Sequence, residues 1–167
     1  KPKEKYSIQM GNAKLLSQLM KRDIVFNFRE NDIKNGGEGA PLTAIYHHFL
    51  KTKLDIKKNV LFLNIGGIAN YTFTTGSLFF AKDVGPGNCL MDMYINKTKK
   101  LNFDKDGVLA ASGKIDKTLI NNTFDHYMYN FNQKHSLDIK DFDINFVKGL
   151  SVKDALANLN FFTAKVI

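Results

Sequence analysis

Three β-rich runs, Val60 to Ile65, Tyr71 to Thr75 and Leu78 to Lys82, follow one another with only tight connections between them. No other stretch restricts the fold as much. Gly66-Gly67 punctuates the end of the first run, and the third runs into Asp83-Val84-Gly85-Pro86-Gly87-Asn88, beyond which a helix is expected from about Cys89 to Lys97. Strand, hairpin, strand, then a glycine turn into a helix is a β-β-β-α order. It argues for a mixed sheet with helices packed on it, an α/β class.

The flanking segments supply the helices. Leu15, Leu16, Leu19 and Met20 recur at helical spacing behind Asn12, a natural cap. Ile24 to Phe28 reads as a further strand, broken by the loop Lys34 to Gly39. After Pro41, Leu42, Ile45, Tyr46, Phe49 and Leu50 form the expected apolar face of a helix, with His47 and His48 beside it as ordinary helix histidines. Lys51 to Lys58 is a polar connector and the best candidate for a domain junction. Ile115 to Phe131 reads as a helix with Leu119, Ile120, Tyr127 and Met128 inward, and Ser151 can cap a last helix running to Ile167.

Composition excludes several function classes. Hydrophobic residues make up 44% of the 167, enough for a real core. A formal charge of +8 invites a nucleic-acid reading, yet all of the 24 basic residues except Arg22 and Arg29 are lysines scattered along the chain. Nucleic acid is therefore not an expected partner. No run of about 18 apolar residues is present, so no membrane association is expected either, and the charged start suggests a cytoplasmic location. The single cysteine, Cys89, excludes an internal disulfide, and no metal-ligand spacing occurs.

Two clusters bear chemistry. Asp83 places a carboxylate at a strand end, followed by glycines entering a helix, where backbone N–H groups favour anions. That arrangement suits general-base or phosphoryl-transfer chemistry, and it equally suits a plain strand-to-helix turn with Asp83 as a local cap. Arg29 and Asp32, closed by the loop Gly36 to Pro41, form the second cluster, either a polar binding site or an exposed ion pair. Asp104-Lys105-Asp106-Gly107 opens like a calcium loop but lacks the closing glutamate.

The runs NFRENDIKNGGEGAPL, LNIGGIAN, DVGPGNCLMD and FDKDGVLAASGKI, with SLDIKDFDINFVKGL and DALANLNFFTA downstream, resemble in order and spacing the anhydro-N-acetylmuramic acid kinase family. The resemblance covers nearly the whole chain. It implies a ribonuclease-H-like fold of the actin/hexokinase kind, two domains closing on ATP and Mg2+, with residues 1–52 from the end of the first domain and 53–167 from the front of the second. It implies opening of the 1,6-anhydro bond of the sugar with phosphorylation of O6, in cell-wall recycling. Asp83 is then the general base, Arg29 and Asp32 organise the sugar, and Gly66, Gly67, Gly85, Gly87 and Asn88 face the phosphates.

The family's Ser-Gly-Thr-Ser-Leu-Asp-Gly turn, its His-Gly-Gln-Thr motif and its late Gly-Gly-Gly turn have no counterpart in this sequence. The chain resembles the middle of such an enzyme, expected to be inactive alone and to need the remaining segments, supplied as separate chains, as partners. Val84 stands where the family has Thr, and Lys134 to Ile139 departs from Pro-Lys-Ser-Leu-Asp-Arg. A non-catalytic remnant or sugar-binding module is the competing expectation.

Overall fold

The computed structural model describes residues 6–131 and 136–167, with the backbone alone at 129–131. The altered positions Lys134 and His135 lie outside the described residues. Three strands form one sheet in the order β1 (Val60–Ile65), β2 (Ile68–Thr74) and β3 (Phe79–Pro86). Both pairings are antiparallel. The mixed sheet expected from sequence is therefore, among the described residues, purely antiparallel. Its two connections are hairpins, and the chain leaving β3 turns into helices.

Register sorts the side chains onto two faces. Val60, Thr74 and Phe79 form one cross-strand row, Phe62, Thr72 and Ala81 the next, and Asn64, Asn70 and Asp83 the third, all on the same face. The opposite face carries Leu61, Leu63, Phe73 and Phe80, of which Leu61, Leu63 and Phe80 are exposed.

Helix α1 (Ala13–Met20) starts where expected, with Asn12 Oδ1 accepting from the Leu15 N–H at 3.0 Å. Its apolar residues stay exposed, and residues 23–27 form no ladder. A strand needs a partner, and the expected one at Ile24 to Phe28 has none among the described residues. A short α2 (Glu30–Lys34) follows it.

Helix α3 (Ala44–Lys53) overturns the expected orientation. Ile45, Tyr46 and Phe49 face outward, while His47 and His48 dock on the sheet. His47 Nδ1 shares a hydrogen bond with Thr72 Oγ1 at 2.9 Å and its ring stacks on Phe62 at 4.7 Å. His48 Nδ1 pairs with Thr74 Oγ1 at 2.6 Å. Thr72 and Thr74, two apart on a strand, present buried hydroxyls on one face, and imidazoles satisfy them where aliphatic side chains would leave them orphaned. The helix also extends into the connector, burying Lys51.

The principal core lies beyond the end of β3, among α4 (Cys89–Lys99), α5 (Val108–Ala111), α6 (Lys117–Phe131) and α7 (Val152–Val166). Leu90, Ile95, Ile120, Leu156 and Leu159 are fully buried there. Met128, expected inward, is exposed, and Phe124 packs in its stead. Ser151 caps α7 by accepting from the Asp154 N–H. Asn158, 1% exposed, ties α7 to the start of α6: its Oδ1 accepts from the Asp116 N–H, and its Nδ2 donates to the carbonyls of Lys114 and Asp154. Asp104 accepts from the N–H groups of Leu109 and Ala110, so the residue that opens a calcium-like loop is a helix cap.

Candidate active site

Asp83 lies near the end of β3, buried, with Oδ2 accepting the Leu137 N–H at 2.9 Å. Burial pushes its carboxyl above the ordinary aspartate range, and the Leu137 hydrogen bond partly offsets that rise. A buried carboxylate held by a backbone donor and raised in proton affinity has the properties of a general base.

The two glycine turns expected to approach phosphates are bonded to each other. The Gly87 N–H donates to the Gly67 carbonyl at 2.9 Å and the Asn88 N–H to the Gly66 carbonyl at 2.8 Å. A Cβ at Gly87 would stand 2.0 Å from the Gly66 oxygen, so glycine there is dictated by backbone contact. Gly85 is equally constrained, since a Cβ would lie 2.4 Å from Val166 Cγ1 and 2.7 Å from the Tyr127 hydroxyl. Gly85 and Gly87 are buried, and their crowding accounts for half of the glycine signature without any ligand.

Gly66 and Gly67 differ. A Cβ at either would meet nothing closer than 3.9 Å, an ordinary van der Waals contact, so the turn has room for a side chain. Asn64 Nδ2 and Asn88 Oδ1 flank that space, each 3.9 Å from such a Cβ, at Gly66 and Gly67 respectively. Asn88 is exposed, and Asp92, one helical turn further along α4, has its carboxyl raised by partial burial. Positions four apart share a helix face, so both belong to the face that opens α4. Among the described residues no group of three or more His, Cys, Asp or Glu is placed to hold a metal ion.

Arg29 and Asp32 both hold their own loop. Arg29 Nη1 donates to the Gly39 carbonyl, and Asp32 Oδ2 accepts from the Gly39 N–H at 2.7 Å. Asp32 also lines an open cavity of about 800 Å³ walled by Tyr71 and residues 79–82, a set that includes neither Asp83 nor the Gly66-Gly67 turn. The structure thus gathers Asp83, Gly66, Gly67, Gly85, Gly87 and Asn88 at one end of the sheet, and places Asp32 in a separate cavity with Arg29 bonded to its Gly39 wall.

Three residues of this site are not legible in the sequence. Leu137 contributes only a backbone N–H, and its identity gives no signal. Tyr127 reads as a core aromatic, yet its hydroxyl donates to the Val84 carbonyl at 2.9 Å. Thr163 Oγ1 donates to the Gly87 carbonyl at 2.9 Å, a buried hydroxyl on an otherwise apolar helix face. A polar atom at a core position of α6 or α7 is the one available hint.

The profile of the family described as anhydro-N-acetylmuramic acid kinase matches residues 1–166. Among curated relatives, the anhydro-N-acetylmuramic acid kinase of Pelagibacter ubique (strain HTCC1062) is 45% identical over 168 residues, covering 98% of this chain and 45% of that relative. That of Rhodopseudomonas palustris (strain ATCC BAA-98 / CGA009) is 35% identical over 168 residues, covering 100% and 46%. That of Phenylobacterium zucineum (strain HLK1) is 35% identical over 162 residues, covering 96% and 44%. The chain spans less than half the length of these relatives. The matched profile and these identities, joined to the Asp83 and glycine-turn motifs, show that the chain belongs to the anhydro-N-acetylmuramic acid kinase family.

Proposed function

We propose that this chain forms the central part of a cytoplasmic carbohydrate kinase that opens the 1,6-anhydro bond of anhydro-N-acetylmuramic acid and phosphorylates O6 at the expense of ATP. The observation that carries this reading is Asp83, a buried carboxylate of raised proton affinity two cross-strand rows from the uncrowded Gly66-Gly67 turn. In the proposed fold the sheet is the front of a ribonuclease-H-like domain covering residues 53–167, and residues 1–52 end the preceding domain.

Asp83 takes the proton of the attacking water, a role that needs a carboxylate whose pKa is closer to neutrality than that of a solvated aspartate. Gly66 and Gly67 let backbone approach the nucleotide phosphates, and Asn88 faces the same space. The N–H groups of Gly87 and Asn88 are already donated to the neighbouring turn, so residues 85–87 support the phosphate-facing turn from behind. ATP with Mg2+, bound against the Gly66-Gly67 turn, would supply the phosphoryl group and the charge that stabilises its transfer. Arg29 and Asp32 shape the loop at residues 36–39, through which they act on the sugar side.

A second reading, a non-catalytic sugar-binding remnant, rests on Val84, which occupies the position of a family threonine beside the base. Phosphorylation of the anhydro-sugar is measured with this chain alone and with separately expressed N- and C-terminal family segments. Activity in the mixture that is lost with Asp83→Asn supports the kinase. Sugar binding without phosphorylation in either mixture supports the remnant.

A further inference from the structure

The strand that carries Asp83 is irregular. Ala69 and Asn70 are consecutive on β2, yet they pair with Gly85 and Asp83, leaving Val84 as an extra residue on β3. Such a bulge advances the strand's alternation by one residue and re-aims the side chains beside it. Here it lets Asp83 share a face with Asn64, Asn70 and Thr72, while Gly85 pairs with Ala69 on the opposite face, beneath α6 and α7.

A bulged residue loses its place in the ladder, so its carbonyl needs another donor. Tyr127 supplies it. Its hydroxyl reaches the Val84 carbonyl at 2.9 Å from α6, while its ring is anchored edge-on to Phe162 at 5.6 Å and stacked near Phe142 at 6.3 Å. The side chain is 7% exposed, and the glycine at position 85 is the residue that leaves room for its oxygen.

We propose that Tyr127 is a positioning residue for Asp83: by donating to Val84, its hydroxyl holds the bulge that fixes which face of the sheet carries the carboxylate and how deeply it is buried. The electrostatics agree, since burial and the charge of Asp83 together push the Tyr127 phenol up to about 12, which keeps it a donor throughout the working pH range. The proposal rests on the reading of Asp83 as the base. Its test reads the ionisation of Asp83 rather than turnover, so either idea can fail while the other stands.

The test uses Tyr127→Phe, which keeps the ring packing and removes one oxygen. The Leu137 amide, bonded to Asp83, reports the carboxyl titration by NMR in the full chain. With the bulge released, the carboxylate gains water, and because burial outweighs the Leu137 hydrogen bond, its titration midpoint falls toward the ordinary aspartate value. The expected change is a drop of about half a pH unit or more, with Leu137 amide exchange faster by about tenfold and the amides of Ile120 and Leu156 still protected. An unchanged midpoint and unchanged Leu137 exchange would reduce Tyr127 to a core aromatic and overturn the proposal. Should Tyr127→Phe fail to fold, Gly85→Ala combined with Val166→Ala sets a Cβ 2.7 Å from the position of the hydroxyl and displaces it. The same drop is then expected, and a midpoint that stays in place in that variant would equally overturn the proposal.

Discussion

Leu137 donates its backbone N–H to Asp83 Oδ2 at 2.9 Å across 54 residues of chain. Leu137 thereby gives the carboxylate near the end of β3 a backbone donor. Burial raises the carboxyl's pKa and the donor lowers it, with burial the larger effect.

That balance fixes a pH dependence of stability. Below the ordinary aspartate pKa of about 3.9, Asp83 is protonated in both folded and unfolded chains. As pH rises from there through the raised folded value, the unfolded chain ionises first, and the stability due to the neutral carboxyl is lost. Asp83→Asn keeps an acceptor for Leu137 and removes the buried charge. The variant is expected to be more stable than the native chain in urea at pH 7 and indistinguishable from it at pH 3.

Gly87→Ala and Gly66→Ala separate the two glycine turns. At Gly87 the added carbon meets a backbone oxygen at 2.0 Å, which cannot move without breaking the paired turns, and the expected cost is about 3 kcal/mol. At Gly66 the nearest atom is 3.9 Å away, and the cost should stay below about 1 kcal/mol. Chemical denaturation of both variants tests this, and a larger loss at Gly66 would contradict it.

Much of the fold is legible in the sequence because local rules govern it. Asn12 and Ser151 cap as their side chains dictate, and the alternating runs with short connections form the three strands. Tertiary partners decide the rest. The apolar stripe of α3 misleads because Thr72 and Thr74, on a strand many residues later, demand hydrogen-bonding partners from that helix. Ile24 to Phe28 has the composition of a strand but, among the described residues, no neighbour to pair with. The glycines of residues 85–87 look like a phosphate cradle in sequence, and only the folded chain brings Gly66, Tyr127 and Val166 close enough to crowd them.

The α3 contact gives a third expectation. Thr74 is fully buried, and Thr74→Val removes the oxygen that pairs with His48 Nδ1. A loss of about 1 kcal/mol is expected, and a double-mutant cycle with His48→Phe should show coupling of about the same size. Additive effects would mean that the hydrogen bond contributes nothing.

Asn158 offers a fourth. Asn158→Leu keeps the branching of the side chain but leaves the Asp116 N–H and the Lys114 carbonyl without their partner in a buried joint. The expected cost is about 2–3 kcal/mol, read from the urea midpoint. A neutral result would show that water replaces the amide there.

The most direct measurement of the central claim is the titration of the Asp83 carboxyl carbon by NMR in the unsubstituted chain. A midpoint clearly above the ordinary aspartate value, followed in step by the Leu137 amide, is the result expected of a buried base. A midpoint at or below that value, or a Leu137 amide indifferent to it, would contradict the role given to Asp83.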